Sequence, residues 1–67
     1  MLGIDKAVEA AGSARRLAIG LGVSHQAVSK WKQRGWVPLA RAKEIEQIFN
    51  IPRRDLLNPA ITVLLTD

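Results

Sequence analysis

A glycine set between two short helix-patterned runs, Gly22 in the stretch Ser13 to Lys32 (SARRLAIGLGVSHQAVSKWK), does most to limit how this chain folds. Before it, Leu17, Ala18 and Leu21 recur at helical spacing, and after it Ala27, Val28 and Trp31 do the same. Gly22 stands just past Leu21, where a helix ends and the backbone needs a positive φ. Val23 is apolar and suited to plug the turn from below, and Ser24 is a good N-cap for the second run. The spacing therefore predicts two short helices, Ala14 to Leu21 and His25 to Gln33, joined by a tight turn. Ala18 is small enough to let the second approach closely, and Trp31 is expected in the core. His25, Gln26, Ser29, Lys30 and Gln33 remain on the other face of the second helix. A short helix that is half core and half hydrogen-bonding side chains meets the requirement for reading a DNA major groove.

The rest of the chain reads as support for this pair. Ile4, Ala7, Val8 and Ala11 make an apolar stripe on a first helix from Ile4 to Ala11, with Lys6, Glu9 and Ala10 facing away. Asp5 suits its positive N-terminal end, and Gly12 ends it before Ser13 caps the next helix. Arg34-Gly35 closes the third helix, and Pro38 suits the first turn of a fourth, running from Pro38 to Phe49. Leu39, Ala42, Ile45, Ile48 and Phe49 are its expected buried face, Arg41, Lys43, Glu44 and Gln47 its wet one, and Asn50 its stop. Arg53 to Leu57 reads as one or two further helical turns, with Leu56 and Leu57 packing back and Asn58-Pro59 ending them. In the tail, Ile61, Val63 and Leu65 alternate with Thr62 and Thr66 in strand fashion, and Leu64 breaks the alternation. The expectation is one all-α domain over residues 1–67, of four to five helices, with a core in 1–57 and a tail, 58–67, left open between extended and other forms.

Composition narrows the function. Sixty-seven residues bury a modest core, so self-association is expected. With no cysteine and one histidine, neither a disulfide nor a metal site is expected, and no cofactor. No Gly-rich phosphate loop and no nucleophile in a strand-turn-helix context is present, so an enzyme is not expected. Ser24 beside His25 is no catalytic dyad, because adjacent helical residues point apart. The start, MLGIDKAVEAAG, is expected to be too short and too charged for a signal peptide, and no apolar run reaches membrane-spanning length. A bacterial cytoplasmic location is the expectation. The net charge of +4, with a sequence pI of about 10.4, favours an anionic partner such as nucleic acid.

The run from Ala14 to Trp31 resembles the helix-turn-helix of phage Cro and repressor proteins, with their lambda-repressor-like fold. It looks like the small, mostly helical Cro branch and the related YdaS-type antitoxin-like regulators. Ala18, Gly22, Val23, Val28 and Trp31 stand at the family's small, turn and core positions, and LGVSHQAVSKWK matches its turn and recognition-helix run. A weaker resemblance continues through Val37, Pro38 and the Arg41 to Ile48 helix, so it covers most of residues 1–50. Gly20 departs from the pattern, where an Ala-like residue is usual, and costs about 1 kcal/mol in a helix interior. It either permits a close contact or simply lowers stability.

Resemblance and helix geometry pick out the same base-reading candidates: Ser24, His25 and Gln26 at the start of the recognition helix, then Ser29 and Lys30 one turn on. Gln26 suits adenine and Lys30 suits guanine O6 and N7. A solvated polar face is the alternative, and for His25 a phosphate or water contact. Ser13, Arg15, Arg16, Lys32 and Arg34 are the phosphate candidates, against capping for the serine and ordinary surface charge for the rest. Arg53 and Arg54 read as plain surface or part of a dimer contact. Trp36 follows the Gly35 break and reads either as an interface residue or as packing under the fourth helix. Trp36, Val37, Ile61, Val63 and Leu64 are the candidates for a dimer surface. The resemblance implies a regulator of transcription, in a phage or prophage setting a repressor. It would bind a pseudo-palindromic double-stranded operator as a homodimer of unspecified strength, with half-sites about 34 Å apart. The alternative is an antitoxin-type regulator whose main ligand is a toxin protein.

Overall fold

The computed structural model describes residues 2–58 and residue 60. Among them are four α-helices, α1 (Gly3–Ala11), α2 (Ala14–Leu21), α3 (His25–Arg34) and α4 (Leu39–Phe49), a single 3₁₀ turn, Arg53–Asp55, and no strand. None of these helices is long and apolar enough to cross a membrane. The expected tail residues Ile61, Val63 and Leu64 lie outside the described residues.

Local chemistry sets the ends of the helices. Gly12, Gly22 and Gly35 all take left-handed φ, and each ends a helix by donating its backbone N–H to a carbonyl of the last turn. At Gly22 the chain then sends the Val23 N–H back to the Ala18 carbonyl at 3.0 Å, the six-to-one closure that satisfies carbonyls at a helix end. Asn50 ends α4 in the same conformation, one that Asn tolerates better than most residues. Pro38 sits one position earlier than expected, at the N-cap of α4 rather than in its first turn.

One apolar core joins the elements. Ile4, Leu17, Val28, Val37, Ile45 and Leu56 are its largest fully buried side chains. Ala7, Ala18, Leu21, Trp31, Ala42, Ile51 and Leu57 complete it, with Val23, Ala27 and Phe49 packed at its margin. α2 packs on α3 and α1, while α4 packs on the 3₁₀ turn and on α1. The α4 face is narrower than its periodicity suggests. Ala42, Ile45 and Phe49 define the contact line, and Leu39 and Ile48, expected on it, are 50% and 56% exposed. At roughly 100° per residue, each lies about a quarter-turn to one side of that line. Val37 is also corrected: a candidate for the dimer surface by sequence, it is fully buried, and its N–H is bonded at 2.6 Å to the Leu56 carbonyl.

The 3₁₀ turn is held from two sides. Glu46, near the end of α4, accepts the Arg53 backbone N–H at 2.8 Å and its Nε at 2.9 Å. Arg53, expected as plain surface or part of a dimer contact, is exposed, and its bonds to Glu46 tie the turn to α4. The carboxyl of Glu46 is held below its ordinary value, first by the backbone N–H of Arg53, then by its side-chain hydrogen bond, with desolvation acting in the other direction and the Arg53 charge adding to the lowering. On the α1 side, Gly3 is buried against the turn, and a β-carbon there would fall on the backbone carbonyl of Asp55. Lys6 faces Asp55 at 3.8 Å. Gly20 is the opposite case: it is exposed, and a β-carbon there meets nothing within 4 Å.

Two outcomes are expected. Gly20→Ala raises unfolding free energy by about 1 kcal/mol, whereas Gly3→Ala lowers it by roughly 1–3 kcal/mol through forced backbone displacement, both read from urea titrations. Because its folded-state pKa is lowered, Glu46 contributes stability above the ordinary carboxylate range, lost as pH falls through the lowered value. The stability gap between wild type and Glu46→Gln should therefore be open at neutral pH and close in acid, in thermal melts across that range.

Candidate nucleic-acid interface

A serine cap and a glycine turn aim α3. The Ser24 Oγ accepts the Ala27 N–H at 3.2 Å, starting the helix within two residues of the Gly22 turn. Val28 and Trp31, fully buried and 4% exposed respectively, then anchor one side of α3 in the core. With that side fixed, Gln26, Ser29, Lys30 and Gln33 point outward at i, i+3, i+4 and i+7, and His25 and Ser24 stand at the N-terminal end; all are exposed. The expected base-reading residues Ser24, His25, Gln26, Ser29 and Lys30 therefore share one end and one outward face of a single helix. Gln33, placed on this polar face by the sequence but not among its base-reading candidates, extends the face by another turn.

The phosphate candidates lie around this face. Ser13 caps α2, its Oγ accepting the Arg16 N–H at 3.1 Å. Arg15 and Arg16 occupy the first turn of α2, which has no acidic residue, and both are exposed. Cations there oppose the helix dipole, typically by about 0.3–1 kcal/mol each, and an anion brought to that turn reverses the sign. Lys32 and Arg34 fall in the last turn of α3, where cations complement the dipole. Trp36, half-buried, lies under Arg34, whose Cζ is 4.0 Å from the ring centroid. Gly35 makes the contact: its left-handed turn, φ 86°, brings residue 36 back beneath residue 34, which a continuing helix does not do.

Charge is segregated along the chain more sharply than the net value suggests. From Ala10 to Lys43 there is no Asp or Glu, while Arg15, Arg16, Lys30, Lys32, Arg34, Arg41 and Lys43 all fall there. The ion pairs among described residues lie away from the outward face of α3: Lys6 with Asp55, Arg41 with Glu44, Arg53 with Glu46. Arg41 also reaches the Leu21 carbonyl at 3.5 Å, tying α4 to the end of α2. The acid-free run was readable in the sequence; averaging charge over the whole chain hides it.

A family model described as bacterial toxin YdaS matches residues 4–61, most of the chain and all four helices but for Gly3. No curated protein and no solved structure matches this chain. The family description names a toxin, where the sequence resemblance pointed to antitoxin-like regulators of the same type.

Removal of the Ser24 cap tests how α3 is aimed. Ser24→Ala should cost about 1 kcal/mol of stability, and Ser24→Gly only a few tenths, measured by chemical denaturation of both variants side by side.

Proposed function

This chain belongs to the bacterial toxin YdaS family, and on that premise we propose that it is a sequence-specific regulator that reads double-stranded DNA with the outward face of α3. The observation that carries this is the polar face Gln26, Ser29, Lys30 and Gln33, held outward by Val28 and Trp31 and set in a stretch of chain without one carboxylate. Carboxylates near a groove-reading surface repel the phosphates that line both edges of the groove, and this stretch has none. Gln26 presents the donor and acceptor pair that suits adenine, and Lys30 a donor for guanine. Arg15 and Arg16 on one flank and Lys32 and Arg34 on the other fix the register on the backbone.

The regulator acts as a Cro-like repressor of phage or prophage type. It binds as a two-fold dimer to a pseudo-palindrome with half-sites about 34 Å apart, and occupying a promoter is sufficient for repression. The family description supports a second reading, in which a protein partner of a toxin–antitoxin pair is the main ligand. Leu2, Ile19, Leu39 and Ile48 are exposed apolar side chains available to such a partner.

Selection from a random duplex pool at near-physiological salt should enrich a pseudo-palindrome with one-turn spacing. The Arg15→Ala, Gln26→Ala, Lys30→Ala triple variant should keep its helical circular dichroism and lose at least about a hundredfold in affinity for the winner. Unchanged binding overturns the assignment of α3. Induced expression in a bacterial host separates the two readings. Growth arrest that the triple variant abolishes ties any toxicity to DNA, and arrest that survives it favours the protein partner.

A further inference from the structure

We propose that Trp36 is a positioning residue that holds Arg34 as a preformed clamp for one DNA backbone phosphate at the end of α3. This rests on the DNA-binding reading and goes beyond it by giving Trp36 a role at the same site. Trp36 had two expected roles, dimer contact or packing beneath α4. The geometry points to a third.

The Arg34 guanidinium carbon sits 4.0 Å from the Trp36 ring centroid, so the cation lies over the indole face. A guanidinium over an indole ring spends no N–H donor on an oxygen acceptor in that contact, and its planar fork matches two oxygens of a phosphate. No carboxylate is paired with Arg34 among the described residues; the three ion pairs engage other cations. The donors are thus held in place yet unspent. An Arg normally surrenders side-chain freedom when it grips a phosphate, and stacking meets part of that cost beforehand. The base of the clamp is itself fixed. Trp36 is half-buried and lies between Gly35, locked in a left-handed turn, and Val37, fully buried and hydrogen-bonded to Leu56. Arg34 comes directly after Gln33, the last residue of the reading face, so a phosphate gripped there borders the bases that face reads.

The test is a salt series with purified full-length protein and a duplex of mixed sequence, read by fluorescence anisotropy. Arg34→Ala should weaken binding about three- to tenfold and make the slope of log affinity against log salt shallower by about one, the signature of one lost phosphate contact. Arg34→Lys should keep the slope, because the charge stays, and still bind more weakly. Trp36→Leu should weaken binding about two- to fivefold with the slope unchanged, and Trp36→Phe, which keeps an aromatic face, should recover most of that loss. In an Arg34→Ala background, Trp36→Leu should add nothing, since the residue it positions is gone.

A slope unchanged by Arg34→Ala, or additive effects of Trp36→Leu and Arg34→Ala, overturns the clamp and leaves the DNA-binding reading standing. Trp36→Phe as weak as Trp36→Leu also overturns it, because packing volume rather than an aromatic face then explains the loss. If the wild-type protein binds no duplex at any salt, the DNA-binding reading falls and the clamp falls with it.

Discussion

The left-handed turn at Gly22 governs the rest. It ends α2, returns the Val23 N–H to Ala18, and lets Ser24 start α3 within two residues. That short connection sets the angle at which α3 leaves, and Val28 and Trp31 then decide which side of α3 meets the core. The outward residues Gln26, Ser29, Lys30 and Gln33 are placed by these two decisions, whereas Arg34 has a further contact in Trp36. A polar face supported only from behind keeps its hydrogen-bonding groups unspent, a state useful to a protein whose ligand supplies the partners.

Electrostatics obeys the same division. The carboxylates of the described residues that form ion pairs do so in α4 and the 3₁₀ turn, where Glu44, Glu46 and Asp55 hold Arg41, Arg53 and Lys6. These exposed pairs contribute little each. Their larger effect is to keep negative charge at the C-terminal side of the fold. Arg15, Arg16, Lys32 and Arg34 are left to act on whatever approaches α3. Family membership points to a small bacterial regulator or toxin–antitoxin-like protein.

Most of the helix-turn-helix was readable from the chain because its determinants are local. Ser13, Ser24, Gly12, Gly22 and Gly35 each act within four residues, and the expected bounds of α2 match those observed. What escaped the sequence is long-range or depends on a precise contact line. Nothing near Gly3 announces that Asp55 will lie against it, and nothing near Glu46 marks Arg53 as its partner. Leu39 and Ile48 satisfy a helical period yet miss the line that Ala42, Ile45 and Phe49 trace. Val37, a candidate for the dimer surface by sequence, is buried, and its backbone is bonded to Leu56. The Arg34–Trp36 stack escaped because pairs two apart do not meet on a helix; only the glycine between them makes the contact.

The closure of α1 against the 3₁₀ turn bears on the order in which the protein acquires its shape. Ile4 and Leu56 share one core although they lie about fifty residues apart. A ribosome adding about 5–20 residues per second leaves a gap of roughly 3–10 seconds between them. Until the end of that interval, the apolar groups of α1 and α4 lack the cover that Leu56 and Leu57 provide. The core that α1 and α4 share is therefore incomplete until those residues are in place. The last turn, short as it is, supplies the side chains that complete the core.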